Sequence, residues 1–262
     1  MTPENSFDIV RDMSHAMILV DEFSRILTAF TRLIYPASCA VCRQDLEIKE
    51  KYLCSICAQT IELIRAPACK TCAKSIPPYL SQGKKCSECR SRKLHIDSGF
   101  ATLTYNDTAK EIIHQAKFEK KFWLLDFFHP FLKSFSIRNE FRSYDLIVPV
   151  PLDGKRLKVR GFNQSLLIAQ ALAGSKYSRK VKMVLKKSKH TEPQSQLHRS
   201  ERLGNLAGAF RLSRFVSVLN RSILLVDDIV TSGATLEECA RVLKIHGAKR
   251  VDFFALARTT NS

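Results

Sequence analysis

No stretch of this 262-residue chain approaches the roughly 18–20 consecutive apolar residues that a membrane-spanning helix needs. The apolar run at 17–20 is cut short by Asp21, Glu22 and Arg25. Residues 1–14 lack a basic region leading into an apolar run, which argues against a secretory signal and sets the expectation of a cytoplasmic protein. Acidic residues are also in short supply: 25 Asp and Glu face 42 Lys and Arg, a formal charge of +17. The shortage is local. Residues 149–202 hold 13 Lys/Arg against 3 Asp/Glu, and a segment of that charge would attract pyrophosphate, other polyanions or nucleic acid.

Cysteine, by contrast, is plentiful. Eight of the nine fall in four C-x-x-C pairs, Cys39/Cys42, Cys54/Cys57, Cys69/Cys72 and Cys86/Cys89, separated by 11, 11 and 13 residues. In a reducing compartment this spacing favours metal over disulfides. Tetrahedral Zn²⁺ takes two thiolates from each of two such knuckles, so two structural zinc ions are expected. Consecutive pairing joins Cys39/Cys42 to Cys54/Cys57 and Cys69/Cys72 to Cys86/Cys89. Nested or interleaved pairing satisfies the same spacing, and an iron–sulfur site is a further alternative. With few large apolar side chains of its own, the segment needs its metal to fold. The ninth cysteine, Cys239, reads as a small core residue on a helix.

Three parts are expected: an N-terminal extension and helix (1–36), a double zinc ribbon (37–93) and an α/β domain (99–262). Apolar residues recur at helical spacing from Ile18 to Ile34, and Tyr35-Pro36 ends that helix. From Gly99 onward, strands alternate with helices. Strands are expected at 100–105, 145–150, 181–185, 223–226 and 251–257, the last closing the sheet. Helices are expected at 108–118, 122–135 with a break near Pro130, 162–173, and after 235. A long loop covers 186–205. This alternation implies a parallel sheet with its ligand crevice at the carboxyl ends of the strands.

The most informative run is Ile223-Leu224-Leu225-Val226-Asp227-Asp228-Ile229-Val230-Thr231-Ser232-Gly233-Ala234-Thr235. Four apolar residues suit a strand buried on both faces, with the two carboxylates expected at its end. A turn of small and hydroxyl residues then leads into a helix. Exposed turn amides and the helix dipole favour a phosphate dianion, and Thr231, Ser232 and Thr235 can donate hydroxyls to it. Asp227 and Asp228 can accept from vicinal ribose hydroxyls or hold water on a bound Mg²⁺. Upstream, Pro149-Val150-Pro151 leads into Lys155, Arg156, Lys158 and Arg160, cations that could hold a pyrophosphate or form a solvated loop.

Residues 223–235 resemble the 5-phosphoribosyl-1-pyrophosphate (PRPP) loop of type I phosphoribosyltransferases. Taken with 148–151, Arg160-Gly161-Phe162-Asn163-Gln164, the Thr191 to Gln194 element and 201–210, they resemble the pattern of the ComF family, named for a competence protein of naturally transformable bacteria. Ser232 stands where threonine is common, and its hydroxyl is kept. The resemblance implies a double zinc ribbon before a type I phosphoribosyltransferase core that binds PRPP with Mg²⁺. It implies catalytic Asp227 and Asp228 and a phosphate site at Thr231, Ser232, Gly233, Ala234 and Thr235. It further implies a pyrophosphate loop of Val150, Pro151, Arg156, Arg160, Asn163 and Gln164, and a lid carrying Thr191, Gln194, Arg199 and Arg202. A link to single-stranded DNA uptake, with a competence helicase as a further partner, belongs to the same implication. No stretch reads as a hood that recognises an acceptor base, so phosphoribosyl transfer with pyrophosphate release and non-catalytic binding of PRPP or DNA both stay open.

Overall fold

The computed structural model describes residues 37–64, 67–77, 85–119, 121–138, 143–188, 208–214 and 216–260. The helix expected at 18–34 and the lid residues Thr191, Gln194, Arg199 and Arg202 lie outside the described residues. The chain divides into two compact units, Met1–Gln59 and Thr60–Ser262, so as packing units the first cysteine ribbon belongs to one and the second to the other. Among the described residues, no helix is long and apolar enough to cross a membrane.

Both ribbons repeat one knuckle. In the smaller unit the Cys39 amide donates to Gln44 O (2.7 Å), and Arg43 N donates back to Cys39 O (3.0 Å). In the larger unit Cys69 N donates to Lys74 O (2.7 Å), and Ala73 N to Cys69 O (2.8 Å). Each turn closes with a residue at positive φ, Arg43 and Ala73 respectively. The second half of each ribbon places one cysteine immediately before a short helix and the other on it: Cys54 and Cys57 at α1 (Ser55–Gln59), Cys86 and Cys89 at α2 (Ser87–Arg90).

The larger unit is built on a four-stranded parallel sheet ordered β1-β6-β5-β2, from β1 (Ser98–Thr104), β2 (Leu146–Pro149), β5 (Ser222–Val230) and β6 (Arg250–Arg258). Ile223 to Val226 are each 0% exposed, as expected of a strand covered on both faces. α3 (Asp107–Phe118) begins at Asn106, whose side chain accepts from Ala109 N and satisfies an orphan amide of the first turn. A 3-10 helix (Phe122–Phe128) runs into α4 (His129–Arg138), which places the expected break just before Pro130. α6 (Gln164–Tyr177) and α7 (Ala234–Ile245) complete the α/β alternation.

Four expectations are corrected. β5 does not stop at Val226. It pairs with β6 through Asp227↔Ala255, Ile229↔Ala257 and Val230↔Arg258, so the acidic pair lies inside the strand. β6 does not close the sheet but lies between β1 and β5. The cations at 155–160 are not a loop but α5 (Gly154–Arg160), capped by the Asp153 side chain accepting from Arg156 N (3.0 Å) and ended by Gly161 at φ 80°. The strand expected at 181–185 reduces to one parallel bridge, Val181 to Ile147. Beyond it, β3 (Leu185–Lys187) pairs antiparallel with β4 (Phe210–Leu212) as a separate two-stranded ribbon bracketing the 189–207 segment.

The second ribbon docks on the sheet at β1. Gly99 N donates to Lys70 O (2.8 Å), and a Cβ on Gly99 would collide with the Phe253 ring and lie 2.5 Å from Thr71 O. Gly99→Ala is therefore expected to destabilise the full chain by about 1–3 kcal/mol through overpacking, read as a lower denaturant midpoint; an unchanged midpoint would show that ribbon and sheet separate freely there.

Candidate functional site

The sulfur atoms divide into two clusters by consecutive pairing, Cys39/Cys42/Cys54/Cys57 and Cys69/Cys72/Cys86/Cys89, with the ligand atoms of each cluster all within 4.8 Å of one another. Tetrahedral zinc with Zn–S near 2.3 Å requires sulfurs about 3.8 Å apart. Cys42 and Cys54 are 3.6 Å apart and Cys72 and Cys86 3.8 Å, so the two four-cysteine sites fit two structural zinc ions. The Cys69 thiol is held far below the ordinary thiol value, first by hydrogen bonding from Cys72 and Cys89, and so favours the thiolate that a zinc ligand must be.

At the carboxyl ends of β2 and β5 lies a cleft of about 370 Å³. Val150, Pro151, Arg156, Arg160 and Gln164 line it from one side, and Asp227, Asp228, Thr231 and Thr235 from the other. Nine residues that the motifs single out, drawn from segments some 70 positions apart, thus meet in one place. Asn163 does not line the cleft. It is buried behind it, donating from Nδ2 to Val150 O (3.0 Å) and accepting from Ser165 N (3.0 Å), which fixes the end of β2 against the start of α6. Ser232, Gly233 and Ala234 line a neighbouring cavity of about 50 Å³ instead. Gly233, at φ 77°, supplies the left-handed turn that starts α7, and the Ser232 hydroxyl accepts from Ala234 N (3.4 Å).

The acidic pair is asymmetric. Asp227 Oδ1 accepts from Ser165 Oγ (3.0 Å) and from Asp228 N (2.9 Å). Asp228 Oδ2 pairs with Lys117 Nζ at 2.7 Å. Burial first, and the Asp228 charge second, push the Asp227 carboxyl up to about 7, against the Asp228 amide, Lys117 and Ser165, which favour the ionised form. Burial also lowers Arg160 and Lys187, and the nearby Arg156 charge lowers both further. The Tyr105 hydroxyl is raised by burial and then by the Asp228 charge. A cleft holding desolvated, mutually repelling cations beside two carboxylates is arranged for a ligand that is anionic at one end and rich in hydroxyls at the other.

Sequence reasoning missed Lys117, Tyr105 and Ser165, all of which line the cleft; Lys187 of the basic segment and Phe210 of the 201–210 element line it as well. Ser165 directly follows Gln164 and was within reach of the motif. Lys117 and Tyr105 come from α3 and its approach, where nothing local distinguishes them from surface residues. The cleft wall has an exposed aromatic flank: Phe118, Phe122 and Trp123 are 59%, 54% and 50% exposed, Arg160 stacks on Phe118 (4.9 Å), and Phe122 meets Phe162 (5.9 Å).

The raised Asp227 value has a consequence for stability. An acid whose folded value lies above its unfolded value of 3.8 binds its proton more tightly when folded, so its contribution is fully present below about pH 4 and is lost as pH rises through about 7. Asp227→Asn cannot ionise. Its melting temperature is expected to exceed that of the wild type above pH 7, with the gap closing toward pH 4.5. A gap independent of pH would show that Asp227 is not held protonated by the fold.

Residues 30–90 match the double zinc ribbon domain family, and residues 163–261 match the phosphoribosyl transferase domain family. Competence protein F of Haemophilus influenzae is 30% identical over 179 residues, covering 66% of this chain and 78% of that protein. Competence protein ComFC of Streptococcus pneumoniae is 33% identical over 179 residues, covering 66% of this chain and 75% of that protein. The DNA utilization protein YhgH of Escherichia coli K12 is 38% identical over 115 residues, 44% of this chain and 50% of that protein. With both domain families present in the same order as the two cysteine ribbons and the α/β core, the chain belongs to the ComF family of competence proteins.

Proposed function

We propose that the cleft between β2 and β5 binds PRPP with Mg²⁺. The observation that carries this reading is the convergence of Arg156, Arg160, Lys187 and Lys117 with Asp227, Asp228, Thr231 and Thr235 in one cleft of about 370 Å³. The pyrophosphate would lie against Val150, Pro151 and α5, where Arg156 and Arg160 supply guanidinium donors. The 5′-phosphate would meet Thr231, Thr235 and the amides leading into α7. The ribose hydroxyls would be accepted by Asp227 and Asp228. One or two protein carboxylates are usual for Mg²⁺, which completes its shell with water and substrate phosphate oxygens, so Asp227 and Asp228 would hold the ion together with the pyrophosphate of PRPP. A bound anion would offset the repulsion between Arg156 and Lys187.

Whether the bound PRPP is consumed depends on an acceptor. The enzymatic reading is phosphoribosyl transfer with release of pyrophosphate, Asp227 and Asp228 stabilising the positive charge that develops on the sugar. The second reading is a binder of single-stranded DNA, acting in the cytoplasm alongside a helicase. It is favoured by the exposed aromatic flank at Phe118, Phe122 and Trp123 beside Arg160, since aromatic faces interleaved with cations are what unpaired bases stack on. The names of the relatives, competence and DNA utilization proteins, point the same way.

Asp228→Asn is expected to weaken Mg²⁺-dependent PRPP binding at least tenfold by calorimetry, because an amide keeps the shape but not the charge and leaves Lys117 without its partner. Equal affinity in wild type and variant would take Asp228 out of the site. For the DNA reading, each phosphate contact adds a slope of about −0.7 in log affinity against log salt, so replacing Lys186 and Lys187 with glutamine should flatten the slope by up to about 1.4. No single-strand affinity at low salt would leave the enzymatic reading alone, and pyrophosphate release with bases, ammonia or DNA as acceptor would then identify its substrate class.

A further inference from the structure

Arg258 lies at the end of β6, outside the motifs singled out in the sequence, and its side chain does not line the cleft. It is 4% exposed, and its Nε and Nη1 have no hydrogen-bond partner among the described residues. A buried guanidinium without an anion is costly and is retained only where a compensating charge is at hand. Arg258 shares its small cavity with Thr71, Cys72 and Cys89 of the second ribbon and with Ser232, Gly233 and Ala234 of the turn before α7. Four thiolates around Zn²⁺ leave a net charge of −2 in this ribbon, and donors directed at the sulfurs are what hold such a site.

The backbone of the same residue is built into the cleft. Tyr105 N donates to Arg258 O (2.7 Å), and Tyr105 lines the cleft. Arg258 pairs with Val230 across β5 and β6, and Thr259 N donates to Val230 O (3.0 Å), the residue before Thr231. A second contact runs in parallel: His95 N and Nδ1, each at 2.7 Å, meet Glu237 Oε1 in the first turn of α7. Ribbon, turn and cleft edge therefore share one residue and one clamp.

We propose that Arg258 is the countercharge of the second zinc tetrathiolate, and that through it and the His95–Glu237 contact the metal in that ribbon holds the 231–235 turn in shape. The proposal does not depend on what the turn binds. The metal is structural in its own ribbon and also sets the geometry of the site.

The test uses the full zinc-loaded chain. Competition with a chelator is expected to show two zinc ions per chain. In Arg258→Gln one of them binds 10- to 100-fold more weakly while the other is unchanged, the usual scale for loss of an outer-shell partner. Arg258→Lys keeps a cation without the planar fork and is expected to fall between the two. Hydrogen exchange supplies a readout that zinc affinity alone does not: amides of 232–237, including Glu237 N bonded to Gly233 O (2.9 Å), should exchange faster in the variants, with 39–57 unchanged. Wild-type affinity at both sites in both variants overturns the countercharge. A weakened zinc with unchanged exchange at 232–237 overturns the coupling. Should Arg258→Gln fail to fold, Arg258→Lys decides both points by the same two readouts.

Discussion

The parallel pairing of β5 with β6 is the constraint on which the rest of the larger unit depends. It runs from Ser222↔Arg250 to Val230↔Arg258, with Ile223 to Val226 facing the buried Val251 to Phe254. Because the pairing continues past Val226, Asp227 and Asp228 are held by a sheet ladder rather than by a turn, and the Thr231 turn begins from a fixed point. Slipping this register by one residue would exchange the faces to which Asp227 and Asp228 point and move Arg258 away from Val230. The cleft, the turn and the second ribbon would all lose their alignment together.

Within that frame, the cleft is electrostatically unfinished. Asp227 carries a value near 7 because burial and Asp228 oppose its charge, while burial and Arg156 oppose the charges of Arg160 and Lys187. Groups of both signs are thus held in their less favourable state, an arrangement that a divalent cation bound to a polyanionic sugar would relieve at both ends. Local structure is given up to maintain it: Asn163 and Ser165 spend their hydrogen bonds on fixing β2, α6 and Asp227 rather than on solvent.

Much of this was legible in the sequence, for identifiable reasons. The four C-x-x-C knuckles announce their ligands by spacing, although spacing alone left the pairing open until the sulfurs were located. The 223–235 run carries its chemistry in contiguous residues, and a covalently local motif survives the errors of strand ends that placed Asp227 past the strand. What was not legible is what the fold brings from a distance. Lys117 reaches Asp228 from a helix over a hundred residues upstream. β6 sits between β1 and β5 because parallel strands need crossovers, and the order of crossovers is not written in any one segment. The helix at Gly154–Arg160 was hidden by its charge: four cations drew attention away from the Asp153 cap and the Gly161 stop that bracket them.

The central claim is that this cleft is a PRPP site. Calorimetric titration of PRPP into the zinc-loaded full chain, with Mg²⁺ and then with the Mg²⁺ chelated under conditions that leave zinc bound, tests it most directly. Saturable binding at one site per chain, weakened without Mg²⁺ and displaced by inorganic pyrophosphate, is the expected result. Absence of saturable binding with Mg²⁺ present, from protein whose two zinc ions are in place, would mean that the converging cations and carboxylates serve another ligand.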